Sequence, residues 1–424
     1  MNPKRPLSRV GQKLAGHSGI VELMADLGEA TSGPDAASLY MMGGGTPAHI
    51  PTMQKVWRDR LAEIIADSDA CDRMLTNYDG PAGNPAFLKA VSQCFYRFYG
   101  WDLGPENIAV TTGGQSAFFT LFTLLAGSNA KSEMRRILLP LVPEYIGYAD
   151  QGLEESVFVS RRPLIERFGD REFKYRIDFD QLNISPDTAA LCVSRPTNPS
   201  GNVLTDSEMT RLRTLARKND VPLIVDHAYG APFPNAVFTD IQPIWDPGII
   251  LTFSLSKVGL PGTRTGIVVA HEEIIARLTS VTSIIGLANN NIGQAIALPL
   301  IESGKLIELS NTIVKPFYQE KSNHAQAVIL EEFRDDFPYA IHRNEGAFFL
   351  WLWFPELPIS TRELYERLKK RRLLIIPGEY FFYGLDSPWD HSRQCIRITY
   401  SQSEETVREG IRILASELRS LHIR

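Results

Sequence analysis

Ile249-Ile250-Leu251-Thr252-Phe253-Ser254-Leu255-Ser256-Lys257 begins as a short run, apolar at almost every position, and ends in two serines and a lysine. A run this short and apolar on both faces suits a strand buried inside a parallel sheet, because a half-exposed antiparallel strand would alternate. The same signature recurs on either side. Upstream lie Ile108-Ala109-Val110-Thr111-Thr112, Arg136-Ile137-Leu138-Leu139-Pro140, Ala189-Ala190-Leu191-Cys192-Val193-Ser194 and Val221-Pro222-Leu223-Ile224-Val225-Asp226. Downstream lies Gly266-Ile267-Val268-Val269-Ala270. Helical patterns such as residues 207–218 separate them and read as crossovers. The expected fold class is α/β, with a mostly parallel central sheet flanked by helices.

Ligands in such sheets gather beyond the carboxyl ends of the strands. There the chain delivers Gly113-Gly114-Gln115-Ser116, Arg195-Pro196-Thr197-Asn198-Pro199-Ser200-Gly201, Asp226-His227-Ala228-Tyr229 and Ser254-Leu255-Ser256-Lys257. A lysine at a strand end in a low-dielectric cleft can lose its proton and condense with an aldehyde. Alone, Lys257 reads more simply as a solvated surface lysine. Nearby serines, Arg264 and the glycine turn shift the balance, because together they offer donors suited to a phosphate. Asp226 needs a cationic partner if buried, or is a helix N-cap with Tyr229 a core aromatic. The Gly114-Gln115 turn is an anion site or an ordinary strand-to-helix connection. Asn198 sits on a rigid Pro-Ser-Gly turn. Arg397, among apolar neighbours, suits a substrate carboxylate or a structural salt bridge.

From about residue 315 the pattern changes. Strands at 346–354 and 396–400, with helices at 361–372 and 404–421, read as a smaller α+β domain. Residues 1–70 carry no strong strand run and are expected to form an arm and part of that small domain, leaving 71–314 as the large domain. The 424 residues are 44% hydrophobic and 22% charged, which excludes wholesale disorder and collagen-like repeats. Lys+Arg 44 against Asp+Glu 49 gives a net charge of −5, without the basic excess of a nucleic-acid binder. Cys71, Cys94, Cys192 and Cys395 show neither CxxC nor zinc spacing, a pattern of the reduced, cytosolic kind. No apolar signal-peptide core follows Met1, and the longest apolar stretches, 117–126 and 347–355, fall short of the ~18 residues that span a bilayer. The expectation is a cytoplasmic protein that binds no nucleic acid, membrane or metal.

Familiar motifs fail. The last glycine of a dinucleotide fingerprint begun at Gly43 would fall at Ala48, Gly304-Lys305 lacks the rest of a phosphate-binding loop, and Ile275 stands where a zincin helix needs histidine. Gly114-Gln115-Ser116-Ala117-Phe118 lacks the last glycine of a nucleophile elbow.

The order Asn198, Asp226, Tyr229, Ser254-Leu255-Ser256-Lys257, Arg264-Thr265-Gly266, Arg397 resembles that of the pyridoxal-phosphate-dependent aminotransferases of the aspartate aminotransferase superfamily, class I/II and fold type I. The resemblance runs from Tyr78 to Arg397. Tyr78-Asp79-Gly80-Pro81, Pro143-Glu144-Tyr145-Ile146-Gly147-Tyr148-Ala149-Asp150 and Phe349-Leu350-Trp351-Leu352-Trp353-Phe354 are similar to members that exchange the amine of L-valine with pyruvate. The resemblance implies ping-pong transamination yielding 3-methyl-2-oxobutanoate and L-alanine, with overlap onto other small aliphatic amino acids. It implies pyridoxal 5′-phosphate as cofactor, held as a Schiff base by Lys257, which then shuttles the substrate proton. Asp226 would pair with the pyridinium nitrogen, Asn198 and Tyr229 would bond the ring's phenolic oxygen, and Tyr145 would stack on its face. The phosphate would take Gly114, Gln115, Ser254, Ser256 and Arg264, with Tyr78 reaching in from the partner subunit of a homodimer. Arg397 would clamp the substrate α-carboxylate, and Gly45 would leave room beside it. His227 and Thr46 depart from the family's usual asparagines and bear on substrate preference.

A C–S β-lyase on the same cofactor is the nearest rival; it would release pyruvate and ammonia without an acceptor. An aminotransferase-like transcription regulator would need a basic helix-turn-helix module, which the residues before Tyr78 do not supply.

Overall fold

The computed structural model describes residues 6–16, 19–32 and 39–422; residues 1–5, where the search for a signal peptide begins, lie outside them. The first sheet has eight strands, in the order Ile108–Thr112, Thr265–Val269, Ile249–Ser254, Leu223–Asp226, Thr188–Ser194, Met134–Leu139 and Gly127–Ser128, with Phe158–Ser160 also paired to Met134–Leu139. From Ile249–Ser254 to Met134–Leu139 the pairing is parallel. Ile249–Ser254, Leu223–Asp226 and Thr188–Ser194 are buried at every position, which is why their sequences are apolar throughout. Helices Pro85–Tyr99, Gly114–Leu125, Asp206–Lys218 and Glu272–Gly286 pack against this sheet. Asp206–Lys218 begins at a reciprocal cap: Thr205 Oγ1 accepts from the Glu208 N–H, and Glu208 accepts from the Thr205 N–H.

One expectation about the sheet fails. The run at 266–270 forms Thr265–Val269, which is antiparallel to both neighbours. Only two short 3-10 turns, Leu255–Val258 and Pro261–Thr263, connect it to Ile249–Ser254, whereas a parallel return needs a crossover of roughly a dozen residues or more. The strand is buried throughout, so its composition carries no trace of its direction.

The second sheet has six strands, in the order Ile376–Pro377, Cys395–Thr399, Phe349–Trp353, Ala340–His342, Glu172–Arg176 and Leu164–Phe168. Its last two strands form a hairpin from inside the 71–314 segment, so residues 315–424 do not build this sheet alone. The strand expected at 346–354 starts at Phe349, since Ala347 turns the chain at φ 64°. Helix Lys315–Phe333 packs on this sheet and on Glu404–His422. The N-terminal segment touches both halves. Tyr40–Met41 pairs with Leu373–Leu374, and the Trp57 indole in helix Pro51–Ala66 donates to the Val258 carbonyl at 3.0 Å. Among the described residues no helix is long and apolar enough to cross a membrane, and no cluster of three metal-ligating side chains occurs.

Candidate active site

The carboxyl ends of the parallel strands open into a cavity of about 600 Å³. Strand Ile249–Ser254 passes directly into a 3-10 turn that carries Lys257; Ser254 caps the turn, its Oγ accepting from the Ser256 N–H at 3.1 Å. Lys257 Nζ donates to the Gly45 carbonyl at 2.6 Å and lies 5.3 Å from the centre of the Tyr229 ring. Burial pulls its pKa down from 10.5 to about 8; the Arg397 and Arg264 charges push the same way and Asp226 opposes them. A usable fraction of the amine is thus unprotonated near neutral pH.

Asp226 ends the neighbouring strand. Its Oδ1 accepts from the Ala228 N–H at 2.8 Å and from Thr252 Oγ1 at 3.3 Å, while Oδ2 accepts from the Tyr148 hydroxyl. Burial raises its pKa, against the lowering effect of those donors and of Lys257. The carboxylate is therefore held by neutral donors, with a cation nearby.

Arg397, on Cys395–Thr399, is 3% exposed. Its Nη1 donates to Asn198 Oδ1 at 2.7 Å and its Nη2 to the Gly43 carbonyl at 2.6 Å, while Nε has no partner among the described residues. The guanidinium lies 4.1 Å from the centre of the Phe349 ring. Burial lowers its pKa to about 10. A buried guanidinium held by one amide, one carbonyl and an aromatic face is ready for a carboxylate.

Helix Gly114–Leu125 begins at Gly113 without a side-chain cap, so its first N–H groups are free for an anion. Arg264 covers that turn. The φ of +81° at Gly113 favours glycine, and a Cβ there would come within 2.2 Å of Arg264 Nη2 and push the end of that side chain away from the turn. Gln115, Ser254 and Ser256 line the same cavity. Tyr145 forms another wall, its carbonyl accepting from the Tyr383 hydroxyl at 3.0 Å and its ring meeting Tyr148 edge-on at 5.2 Å.

The expected residues Gly45, Gly114, Gln115, Tyr145, Asn198, Asp226, Tyr229, Ser254, Ser256, Lys257, Arg264 and Arg397 all line this one cavity. Tyr78 does not; it is 83% exposed. The family model for aminotransferase class I and II matches residues 51–414. The chain belongs to this family. Valine–pyruvate aminotransferase of Escherichia coli (strain K12) is 47% identical over 411 residues, covering 97% of each chain. The crystal structure of valine–pyruvate aminotransferase from Salmonella typhimurium LT2 matches this aminotransferase with a TM-score of 0.87 at 44% identity, covering 95% of this chain and 99% of that one. A proposed amino-acid aminotransferase from Psychrobacter arcticum 273-4 matches with a TM-score of 0.95 at 43% identity over 99% of both chains. The α/β architecture expected from the sequence is thus the fold of solved aminotransferases.

Sequence reasoning gave no role to three parts of this site. Tyr148 follows Tyr145 by one 3-10 turn, Ile146–Tyr148, and that spacing brings it to Asp226. Glu144 is fully buried and bonded to Ser194; the only signal was an acid between a proline and an aromatic in an apolar stretch. Ile20, Leu23 and Met24, on helix Gly19–Ser32, line the cavity, and their i, i+3, i+4 spacing marked an apolar helix face. His227, expected near the ligand, stacks on Phe253 at 5.4 Å instead and is not part of the cavity lining. Adjacent residues on a strand point to opposite faces, so Asp226 and His227 diverge. Thr46 does line the cavity.

Proposed function

We propose that this aminotransferase carries an amine from L-valine to pyruvate in two half-reactions, forming 3-methyl-2-oxobutanoate and L-alanine, with pyridoxal 5′-phosphate bound in the cavity. The observation that carries the reading is the convergence of Lys257 and Arg397, neither in an ion pair among the described residues, on the carbonyls of Gly45 and Gly43. An amino acid brings the carboxylate that Arg397 lacks and an amine to the neighbourhood of Lys257.

The donor set fits the cofactor. The uncapped helix start at Gly114 and Gln115, with Ser254, Ser256 and Arg264, suits a phosphate. Asp226 suits a protonated ring nitrogen, Asn198 and Tyr229 a phenolic oxygen, and the Tyr145 wall a flat ring. When bound, pyridoxal phosphate supplies an electrophilic carbon and an electron sink. Lys257 then holds and returns the proton of the substrate α-carbon at Nζ, a task suited to an amine whose pKa lies near the working pH. Arg397 fixes the carboxylate so that the α-hydrogen faces Lys257.

The choice of valine and pyruvate rests on the identity with the Escherichia coli enzyme. The apolar wall of Ile20, Leu23 and Met24 favours an aliphatic side chain. One methylene in such a pocket discriminates by only ~1–3 kcal/mol, so 2-aminobutyrate should also react. Exposed Tyr78 is assigned to the phosphate site of a second copy, in a cytoplasmic homodimer with shared active sites. The test is the visible and near-ultraviolet spectrum of the purified protein. L-Valine should bleach the cofactor band and pyruvate restore it; a coloured protein indifferent to valine would keep the cofactor and reject the substrate.

A further inference from the structure

Glu144 has no task in the chemistry above, yet it is wholly buried within the frame that holds Asp226. Its Oε1 accepts from the Ser194 N–H at 2.8 Å, and its Oε2 from Ser194 Oγ at 2.7 Å and the Tyr145 N–H at 3.1 Å. Ser194 and Asp226 are register partners on adjacent parallel strands. Tyr148, which donates to Asp226, belongs to the same turn as Glu144 and Tyr145. One turn therefore supplies the aromatic wall, the hydroxyl on Asp226 and a second buried carboxylate anchored to Asp226's neighbour.

We propose that Glu144 is a positioning residue that carries a proton in the cofactor-free protein and gives it up when a cationic ring nitrogen pairs with Asp226, so that cofactor binding releases a proton. The inference rests on the assignment of Asp226 to that nitrogen.

The main physical reason is burial, which disfavours the charged form; three donors at the Glu144 oxygens oppose it, and the like charge of Asp226 adds a smaller push toward the acid, so that the pKa is raised from 4.5 to about 7. The other ionisable groups facing Glu144 are Cys192 on the Ser194 strand, Tyr145 and Tyr148 in its own turn, and Tyr383 across from it. Burial raises the pKa of each of these, which leaves Glu144 as the group poised to change charge near neutrality. A positive charge on Asp226 cancels the repulsion and lowers the Glu144 pKa. The share of the affinity for a cationic ring that Glu144 controls then rises as pH climbs through about 7 and levels off above it, whereas loss of the Lys257 proton near 8 acts alike with and without Glu144.

The probe is pyridoxamine 5′-phosphate, which has the ring and phosphate but cannot bond covalently to Lys257. The full chain, freed of cofactor, is titrated calorimetrically from about pH 6 to 8 in two buffers of different ionisation enthalpy. The wild type should gain more affinity across that range than Glu144→Gln, and should release more protons near the midpoint. Ser194→Ala, which removes a donor to the carboxylate, should move the step to higher pH. Parallel pH profiles for wild type and Glu144→Gln overturn the proposal and leave the cofactor assignment standing. If Glu144→Gln does not fold, an unmoved step in Ser194→Ala overturns it equally. A wild type that binds no pyridoxamine phosphate at any pH sinks the assignment of Asp226 itself.

Discussion

Lys174 and Glu345 meet as an ion pair buried between the second sheet and the turn that carries Asn198, whereas Lys257 and Arg397 face the cavity and form no ion pair among the described residues. Lys174 also donates to the Val203 carbonyl at 2.9 Å, and Glu345 accepts from the Val203 N–H at 3.0 Å. Arg195 is treated in the same way. It bonds the Leu204 and Gln242 carbonyls at 2.8 and 2.9 Å and Asp206 at 2.6 Å. These saturated charges brace both ends of the loop from Arg195 to Asp206, and that loop presents Asn198 to Arg397. Burying an ion costs several kcal/mol unless a partner restores what water gave. Charge that the chain itself neutralises therefore serves the frame, and charge left short of a partner serves a ligand.

Lys257→Ala tests the cavity side of this contrast and should have the largest effect. Transamination should vanish, while the melting temperature of the cofactor-free protein stays within a few degrees, because only one carbonyl contact is lost. Residual turnover near the wild-type rate would show that the amine is not the catalytic group. The frame side is tested by Glu345→Ala, which strands a buried ammonium and should cost about 3–5 kcal/mol in denaturant unfolding. Arg397→Met is its counterpart. It removes a buried cation that has no acid, so stability should change by less than about 1 kcal/mol. Its KM for amino acids should rise about 10- to 100-fold, the worth of a charge-assisted pair. Equal stability losses in the two variants would erase the distinction between them.

Much of this site was legible in the chain because catalysis uses strand ends. Runs such as Val221-Pro222-Leu223-Ile224-Val225 mark buried parallel strands, and Asp226 and Lys257 stand where each run stops. What was hidden depends on direction and on long-range pairing. Thr265–Val269 is as buried as its parallel neighbours, so its reversal left no mark on its composition. The hairpin Leu164–Phe168 with Glu172–Arg176 joins a sheet whose other strands begin far downstream at Ala340, and local pattern cannot state which sheet a hairpin joins. Glu144 was opaque for another reason. Its character comes from Ser194 and Asp226, on strands remote in sequence.

The two regions also respond to pH in opposite senses. In the turn Asp390–Arg393 beside the second sheet, His391 bonds the Tyr175 hydroxyl through Nε2 at 2.6 Å, its Nδ1 has no partner among the described residues, and burial lowers its pKa from 6.5 to about 3. The native state refuses a proton that the unfolded chain accepts, so this histidine's contribution is intact above pH 6.5 and drains away as pH falls toward 3. Glu144 has the opposite sign. Its folded pKa of about 7 lies above the ordinary 4.5, so the native state takes up the proton first and gains stability as pH falls from 7 toward 4.5. In cofactor-free protein unfolded by urea at about pH 7 and pH 5, His391→Phe should shrink the acid-induced loss of stability by about 2 kcal/mol, and Glu144→Gln should deepen it by about 2 kcal/mol. Each variant also changes stability at neutral pH, through the Tyr175 or Ser194 bond it disturbs, but that offset is common to both pH values and cancels in the difference. Opposite displacements from the wild type would mean that the buried Glu144 carboxyl is accommodated by taking up a proton while the buried His391 ring is kept neutral. Equal slopes in all three proteins would place the acid sensitivity in neither region.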